Sequence, residues 1–488
     1  MTLRSFARPG LAALAGALAV AGFAPLGWYP LAILGLAGLF LLARDAAPGR
    51  AFRLGWAWGL GHFLAGVSWV YVSISVYGGM PAPVAALATL LFCALALAAR
   101  LAPPGWRRTA LALPAAWTLL EWVRGWLFTG FPWLALGYSQ APDSPLAGFA
   151  PLLGVYGLSL LAALSAGLLV VLLPSAGGGG NRRAYALATL AALWLSAWAL
   201  QQVEWTRPEG EPVPVSLVQG NIAQDMKFRP EKLQATLDHY ARAVLASRAR
   251  LIVLPETALP LFRSSVPPDY LQLLADHARA RGGDLLLGIP EDAGPERYYN
   301  SALTLGSSPE GLYRKVHLVP FGEFVPFGFR WAVDMMSIPL GDFSAGEADQ
   351  PPLAAAGQRL AVNICYEDVF GEERIHAARD ATLLVNISND AWFGASLAPW
   401  QHLQIGALRS LEAGRWQLRA NNTGVTAILD HKGRTLAALA PFTAGSLDGQ
   451  AQGRSGLTPY LRFGNYPAAL LAVLLLWRAA RAGRRRPQ

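Results

Sequence analysis

The chain has 488 residues, of which 53% are hydrophobic and only 15% are charged. This composition excludes a single soluble globular domain, which would carry more charge on its surface. The formal net charge is +9, but the basic residues lie mainly at the ends of apolar runs, so the positive charge does not indicate a nucleic-acid partner.

Residues 1–201 are strongly apolar and contain three acidic residues and no lysine. A transmembrane helix needs about 20 apolar residues. The apolar runs predict seven such helices here and an eighth after the polar part of the chain: 10–27, 29–43, 54–76, 82–99, 109–128, 147–173, 184–201 and 463–477. The first run resembles a signal peptide but lacks a good small-residue cleavage site, so we expect it to be retained.

Arginines occur in alternate connections between these runs. They precede the first run and follow the second, fourth, sixth and eighth: Arg4, Arg8, Arg44, Arg50, Arg53, Arg100, Arg107, Arg108, Arg182, Arg183, Arg478, Arg481, Arg484, Arg485 and Arg486. By the positive-inside rule both termini are cytoplasmic. The polar part between the seventh and eighth runs then lies outside the inner face, which is the periplasm in a bacterium with two membranes.

Glu121 and Arg124 are ionisable residues within the predicted fifth span. Residues three apart lie on one helix face, and ionisable groups at membrane depth are candidates for function. They can equally form a self-satisfied pair near the outer end of the helix. Whether they contact lipid stays open.

The polar part of the chain alternates predicted strands and helices. Strands are predicted at 213–219, 285–289, 301–305, 382–387, 417–420 and 425–429, and helices at 231–247, 268–281 and 401–414. Such alternation is typical of a layered α/β domain. We therefore divide the chain into a membrane domain with seven transmembrane helices (1–205), an α/β domain (212–450), a C-terminal transmembrane helix (460–480) and a basic cytoplasmic tail (481–488).

Cys365 follows the apolar run 360–364, which reads as a buried strand. Glu367 and Asp368 suit the first turn of a helix that we predict to continue to Arg379. The positive end of that helix would favour a thiolate, although most free cysteines are simply small buried hydrophobic residues. The only other cysteine, Cys93, lies within a predicted span, so no structural disulfide is expected.

Two further segments carry candidate catalytic groups. Glu256 follows the apolar run 251–254, where an acid could also be an ordinary helix cap. Lys315 is one of only four lysines in a chain that otherwise uses arginine, which suggests that a compact ammonium group is needed there.

Together these segments resemble the nitrilase superfamily. The matching motifs are LPET at Glu256, YRKVHLVPFGE at Lys315, NICYED at Cys365 and NISNDAWFG at 386–394. The resemblance implies an αββα sandwich with a Glu–Lys–Cys triad.

With seven predicted spans before such a domain and one after it, the whole chain resembles the apolipoprotein N-acyltransferase family. Two further segments resemble segments of that family: EWVRGWLFTGFPWLALGYSQ at 121–140 and GNYP at 464–467. That family moves an acyl chain from a phospholipid to the N-terminal amine of a diacylglyceryl-cysteine lipoprotein. The resemblance implies a membrane α-helical bundle plus a periplasmic sandwich, in the inner membrane, with phospholipid and apolipoprotein as partners and with no cofactor or metal.

The resemblance also assigns roles. Cys365 would be the nucleophile, Glu256 the general base and Lys315 the stabiliser of the oxyanion, aided by backbone N–H groups near Tyr366. The supporting or substrate-binding residues would be Glu323, Tyr366, Glu367, Phe228 and Trp392. Phe228 departs from the family, which commonly has a tryptophan there.

Two apolar stretches, 321–343 and 391–400, could form an apolar approach for lipid substrates and act as a mobile lid. The alternative is that their aromatic residues belong to the core. One alternative is a membrane-tethered nitrilase-type amidase or lipid hydrolase that uses water as acceptor. Another is a transporter with a ligand-binding domain, which paired broken helices would favour. Serine-hydrolase and zinc-protease motifs are absent from the sequence.

Overall fold

The computed structural model describes residues 3–70, 95–174, 180–223, 229–294, 297–320, 322–324 and 343–484. The chain forms two compact units. One contains the described residues up to Glu204 and from Arg462 onward, and the other runs from Trp205 to Leu461.

The first unit is helical. Its longer helices are Leu3–Ala19, Tyr29–Ala43, Pro48–Gly66, Leu113–Arg124, Ala150–Leu172, Gly180–Leu200 and Tyr466–Arg484. The end of the predicted span 54–76 and most of 82–99, including Cys93, lie outside the described residues.

Two helical segments in the described part of the chain are long and apolar enough to cross a membrane, Pro145–Leu172 and Asn181–Leu200. Ala7–Gly22 and Tyr29–Ala43 are shorter apolar helices. The eight crossings therefore stay a prediction.

The helix of the predicted fifth span ends at Arg124, and the chain continues through short 3₁₀ turns. Arg124 and Glu121 are both buried and bind the backbone of this irregular stretch. Arg124 Nη1 donates to the carbonyls of Phe131 and Trp133, both at 2.7 Å. Glu121 Oε1 accepts from the backbone N–H of Leu136 at 3.0 Å. Because buried backbone groups need partners, these two side chains replace the hydrogen bonds that a continued helix would have supplied.

The second unit contains two six-stranded sheets and a two-stranded sheet formed by its first and last strands. The strands in chain order are β1 (Arg207–Pro208), β2 (Val213–Gln219), β3 (Leu251–Val253), β4 (Asp284–Asp292), β5 (Tyr298–Gly306), β6 (Gly311–Arg314), β7 (Leu353–Ala355), β8 (Gln358–Ile364), β9 (Leu383–Ser388), β10 (Trp416–Asn421), β11 (Thr426–Leu429), β12 (Thr435–Leu439), β13 (Gly445–Ala451) and β14 (Arg454–Ser455). One sheet has the order β13-β2-β3-β4-β5-β6 and the other β12-β11-β10-β9-β8-β7. The central strands β2, β3 and β4 are parallel, as are β8, β9 and β10.

The two sheets pack face to face. Side chains from both meet in one buried cluster, including Leu217, Val253, Val362 and Val385. The outer face of the first sheet packs on the helices Pro230–Ala246 and Pro268–Arg279. The outer face of the second packs on Ile375–Asp380 and Ala398–Ala413. The predicted αββα layering is therefore what the second unit has.

Two sequence predictions for this unit are wrong in detail. No strand was expected after 425–429, yet β12 and β13 extend the two sheets at their edges. Their residues alternate between exposed and half-buried positions, so they lack the apolar run that identified the central strands.

The single helix predicted from Cys365 to Arg379 is also absent. The chain instead forms the 3₁₀ turns Cys365–Val369 and Gly371–Arg374, followed by the short helix Ile375–Asp380. A turn this short offers little of the helix dipole that was expected to favour a thiolate.

Candidate active site

Cys365 comes directly after β8, at the end of a buried parallel strand. Its backbone has a φ of 54°, in the left-handed region that residues with a Cβ rarely adopt. Such a conformation costs about 1–3 kcal/mol and is kept only where the surrounding structure enforces it. The sharp turn ends the strand and places the cysteine at its tip, with 7% of the residue exposed.

Glu256 and Lys315 come from the other sheet. Glu256 lies three residues after β3, and Lys315 directly follows β6. Gly288 of β4 makes room for the first of these turns, because a Cβ at Gly288 would come within 2.7 Å of the Cα of Glu256. The candidate nucleophile and its two candidate partners therefore meet only because the two sheets pack together.

Lys315 lies in a small network with Glu256, Glu323 and Asn300. Its Nζ is 2.8 Å from Oε2 of Glu323 and 3.6 Å from Oε1 of Glu256. Asn300 joins the two acids, since its Nδ2 is 2.7 Å from Glu256 Oε1 and 2.9 Å from Glu323 Oε1. The ammonium group is 1% exposed, so these acids are its main counter-charges. The network fixes the position of the lysine beside Glu256.

Electrostatics decide the protonation states in this network. Burial alone would lower the pKa of Lys315, but Glu323 and Glu256 outweigh it and hold that pKa above its ordinary value, so the lysine is charged. Burial raises the pKa of the Cys365 thiol well above its ordinary value, and Glu256 raises it further, while Lys315 acts in the opposite sense. The resting cysteine is therefore a neutral thiol, contrary to the thiolate expected from the sequence.

Glu367 links the two sides of the site. Its Oε1 accepts hydrogen bonds from the hydroxyl of Tyr313 at 2.8 Å and from the backbone N–H of Val316 at 2.7 Å. Its Oε2 accepts from the backbone N–H of Ile364 at 2.6 Å. The side chain is buried and therefore braces both the lysine segment and the cysteine turn.

The structure places the other predicted site residues as follows. Tyr366 is buried next to the cysteine, with its ring 5.1 Å from that of Phe370. Trp392 is half-buried in the 3₁₀ turn Asp390–Phe393. Phe228 and residues 325–342 of the apolar stretch lie outside the described residues.

Comparison with known proteins identifies the family of the chain. Residues 15–168 match the Apolipoprotein N-acyltransferase N-terminal domain, and residues 214–459 match the Carbon-nitrogen hydrolase family. An Apolipoprotein N-acyltransferase of Nitrosomonas europaea is 53% identical, with 96% of this chain and 97% of that protein covered. The chain belongs to the apolipoprotein N-acyltransferase family. The family resemblance deduced from the motifs is thereby confirmed.

Other members of the apolipoprotein N-acyltransferase family are nearly as similar. The one from Chromobacterium violaceum is 48% identical over 96% of this chain and 93% of its own length. The one from Ralstonia nicotianae is 46% identical over 99% of this chain and 94% of its own length. Among solved structures, an amidase from Nesterenkonia sp. is 22% identical, with 53% of this chain and 95% of that chain covered and a TM-score of 0.38.

Sequence reasoning missed several residues that the fold brings to the site. Asn300 is a buried polar residue near the start of β5, next to Ser301 in the sequence, so its polarity alone did not mark it as a site residue. Asp368, Asp390 and His402 lie behind the cysteine, where His402 contacts both aspartates. Nothing in the spacing of these three residues predicts that they meet.

Proposed function

We propose that the chain transfers a fatty acyl chain from a phospholipid, through a thioester on Cys365, to the N-terminal amine of the diacylglyceryl-cysteine of lipoproteins. This would be the last step of lipoprotein maturation. The observation that supports it most is the buried cluster of Glu256, Lys315 and Cys365, contributed by three separate strand ends. Membership of the apolipoprotein N-acyltransferase family supports the substrate class.

In the first stage, Glu256 takes the thiol proton as the sulfur attacks the ester carbonyl of the phospholipid. The carbonyl oxygen gains negative charge, which the Lys315 ammonium and the backbone N–H of Tyr366 stabilise. One such donor elsewhere contributes about 3–4 kcal/mol. The intermediate then expels the lysophospholipid alkoxide, which receives the proton from Glu256, and the acyl group remains on Cys365.

In the second stage, the neutral amine of the lipoprotein attacks the thioester carbonyl. Glu256 takes a proton from this amine, and the same donors stabilise the second oxyanion. The carbon–sulfur bond breaks, and the sulfur recovers its proton from Glu256. The products are an N-acylated lipoprotein and the free thiol, so each cycle consumes one phospholipid and one amine.

A neutral resting thiol suits this mechanism. When the proton moves from Cys365 to Glu256, the total charge of the buried cluster does not change. Burial disfavours a thiolate that forms alone. It disfavours much less a thiolate that forms as Glu256 becomes neutral, because the charged lysine beside it compensates the negative charge. Glu323 holds the lysine there, and Asn300 holds Glu323 beside Glu256, which supports a positioning role for both Glu323 and Asn300.

The membrane part would deliver the substrates. We place the chain in the bacterial inner membrane, with a helical domain at 1–205, a periplasmic catalytic domain at 212–450, a last transmembrane helix at 460–480 and a cytoplasmic tail at 481–488. The arginine alternation supports this orientation. Phe228 and Trp392 are proposed to contact the lipid substrates, and Tyr366 and Glu367 to shape the site.

The test is a reaction with phospholipid and no acceptor. Purified protein in detergent micelles should release about one lysophospholipid per protein and then stop, since the thioester waits for an amine. Mass spectrometry should find the acyl group on Cys365. Addition of a diacylglyceryl-cysteine peptide should restart release and yield the N-acylated peptide.

Two cysteine variants complete the experiment. Cys365→Ser should give neither burst nor adduct, and Cys93→Ser, the matched control, should behave as the wild type. Continued release at an undiminished rate without an amine would mean that water is the acceptor. The protein would then be a lipid hydrolase, and the transfer function proposed here would be wrong.

A further inference from the structure

Four charged side chains form a buried cluster directly behind Cys365. His402 Nε2 is 2.9 Å from Asp368 Oδ1, and His402 Nδ1 is 3.0 Å from Asp390 Oδ1. Arg419 Nη1 donates to the other oxygen of Asp368. All four residues are at most 2% exposed. Two positive and two negative charges balance, so the cluster can be buried without a net charge.

The contacts of His402 define its protonation. A neutral imidazole has one N–H donor and one acceptor nitrogen, whereas both ring nitrogens here face a carboxylate oxygen. Both must therefore carry a proton. Burial would lower the pKa of His402, but Asp368 and Asp390 outweigh burial and raise it to about 9. The ring is a double donor at neutral pH.

One of those donors also reaches the nucleophile's own backbone. His402 Nε2 lies 3.3 Å from the carbonyl oxygen of Cys365, and Asn386 Nδ2 lies 3.2 Å from the same oxygen. Asn386 is itself held, because its Nδ2 also donates to Asn363 at 2.6 Å and its Oδ1 accepts from Ser388 at 2.7 Å. Two anchored donors thus fix the direction of one carbonyl group.

Fixing that carbonyl fixes the next N–H as well. In a planar trans peptide the C=O and the following N–H point in opposite directions. The carbonyl of Cys365 points into the buried cluster, so the N–H of Tyr366 points away from it. Cys365 itself has a strained backbone conformation, with a φ of 54°, which such an anchor helps to hold.

We propose that His402, held between Asp368 and Asp390, is a positioning residue that orients the Cys365–Tyr366 peptide so that the Tyr366 N–H can stabilise the oxyanion. The inference rests on the proposed function, in which that N–H is a donor to the intermediate. His402 does not touch the reacting atoms. It acts through the peptide, together with Asn386.

The chemistry of the thiol offers a way to separate this role from general support of the fold. Acylation of Cys365 by an ester passes through an oxyanion, whereas alkylation by iodoacetamide displaces iodide and forms none. Loss of the orienting hydrogen bond should therefore slow acylation and leave alkylation unchanged. A merely structural defect would slow both reactions together.

The experiment uses the full-length protein in detergent with three variants: His402→Leu, His402→Gln and, as the matched control, the exposed His376→Leu. Acylation is followed as lysophospholipid release in a single turnover and as the p-nitrophenolate burst from p-nitrophenyl acetate, which needs no lipid. Alkylation is followed with iodoacetamide.

His402→Leu should slow both acylation reactions about 10²- to 10³-fold, the range for a lost oxyanion donor, with KM for phospholipid and the alkylation rate within about twofold of wild type. His402→Gln keeps one N–H donor and should recover about tenfold over His402→Leu. His376→Leu should match the wild type. If His402→Leu acylates within threefold of wild type, or loses alkylation and acylation in parallel, the proposal is wrong.

A second variant covers the case in which His402→Leu fails to fold. Asn386→Leu keeps roughly the shape of the side chain, removes the other donor to the Cys365 carbonyl without adding a charge, and should give the same selective loss of acylation. Equal acylation in Asn386→Leu and wild type would overturn the proposal. Failure of the proposed function looks different, because the wild type would then either release lysophospholipid without stopping in the absence of an amine, or release none and still show the p-nitrophenolate burst.

Discussion

The carboxylate of Glu367 lies 2.7 Å from the backbone nitrogen of Val316, the residue that follows Lys315. Its second oxygen lies 2.6 Å from the backbone nitrogen of Ile364, the residue that precedes Cys365. One buried side chain therefore ties together the chain segments that carry the candidate lysine and the candidate nucleophile. These segments belong to different sheets, so Glu367 helps to set the distance between the two groups.

Replacing Glu367 by Gln tests this link. The amide has one acceptor oxygen, so its NH₂ group must face at least one of the N–H donors that the carboxylate now accepts. A buried donor left without a partner costs about 1–3 kcal/mol. We expect a Tm about 5 °C lower and at least about a tenfold lower rate of lysophospholipid release, measured by scanning fluorimetry and single turnover.

The control for this variant is Glu373→Gln. Glu373 lies on the protein surface, and among the side-chain hydrogen bonds found in the described residues its carboxylate contacts only the ring of His317, at 3.0 Å. Its removal should change neither Tm nor rate appreciably, because exposed pairs contribute little. A Glu367→Gln variant that behaves like Glu373→Gln would show that the link is unimportant.

The raised pKa of Cys365 predicts the pH dependence of alkylation. Because burial and Glu256 both favour the neutral thiol, iodoacetamide should react slowly at pH 7.5 and faster as the pH rises above 9. Glu256→Gln removes one of these two causes, so the midpoint of the rate profile should move to lower pH while acyl transfer is lost. The exposed Glu310→Gln should leave the midpoint unchanged. A midpoint that stays fixed in Glu256→Gln would remove Glu256 from the neighbourhood of the thiol.

The charged state of His402 predicts a loss of stability at high pH. Its pKa is about 9 in the folded protein against 6.5 for an ordinary histidine, so its protonation stabilises the fold fully below pH 6.5. That contribution, about 3 kcal/mol, is lost as the pH rises through 9. The charged or titratable groups facing it are Asp368, Asp390, Arg419 and Cys365.

The measurement compares the Tm of the wild type with that of His402→Gln from pH 6 to pH 9.5. The variant lacks the titrating ring, so the gap between the two Tm values should shrink by several degrees as the pH rises. A gap of constant size over this range would mean that His402 is not charged in the folded protein.

The predicted topology can be tested by labelling in spheroplasts, in a Cys93→Ser background. Ser307→Cys, an exposed position of the catalytic unit, should react with a membrane-impermeant maleimide. Arg182→Cys, an exposed position at the start of the helix Gly180–Leu200, should react only after the membrane is permeabilised. The reverse pattern would place the catalytic unit in the cytoplasm, away from its proposed substrates.

The sequence by itself determined the division into an apolar and a layered part, the αββα layers and the family. Each of these depends on a local pattern. Apolar runs such as 213–219 form central strands because both faces of the sheet are covered. The motifs around Glu256 and Cys365 stand at the ends of two central strands, and the motif around Lys315 follows the edge strand β6. The edge strands β12 and β13 were not predicted, because a half-exposed strand has no apolar run to mark it in the sequence.

Only the tertiary structure decided which polar groups surround the cysteine. Asn300 bridges Glu256 and Glu323, Glu367 reaches Val316, and His402 lies behind Cys365 although it comes 37 residues later in the chain. These contacts depend on how two sheets and a helix pack together, and a buried polar side chain leaves no periodic signal in the sequence. The protonation of Cys365 was decided in the same way, because burial and the charges of the other sheet outweigh the weak dipole of a single 3₁₀ turn.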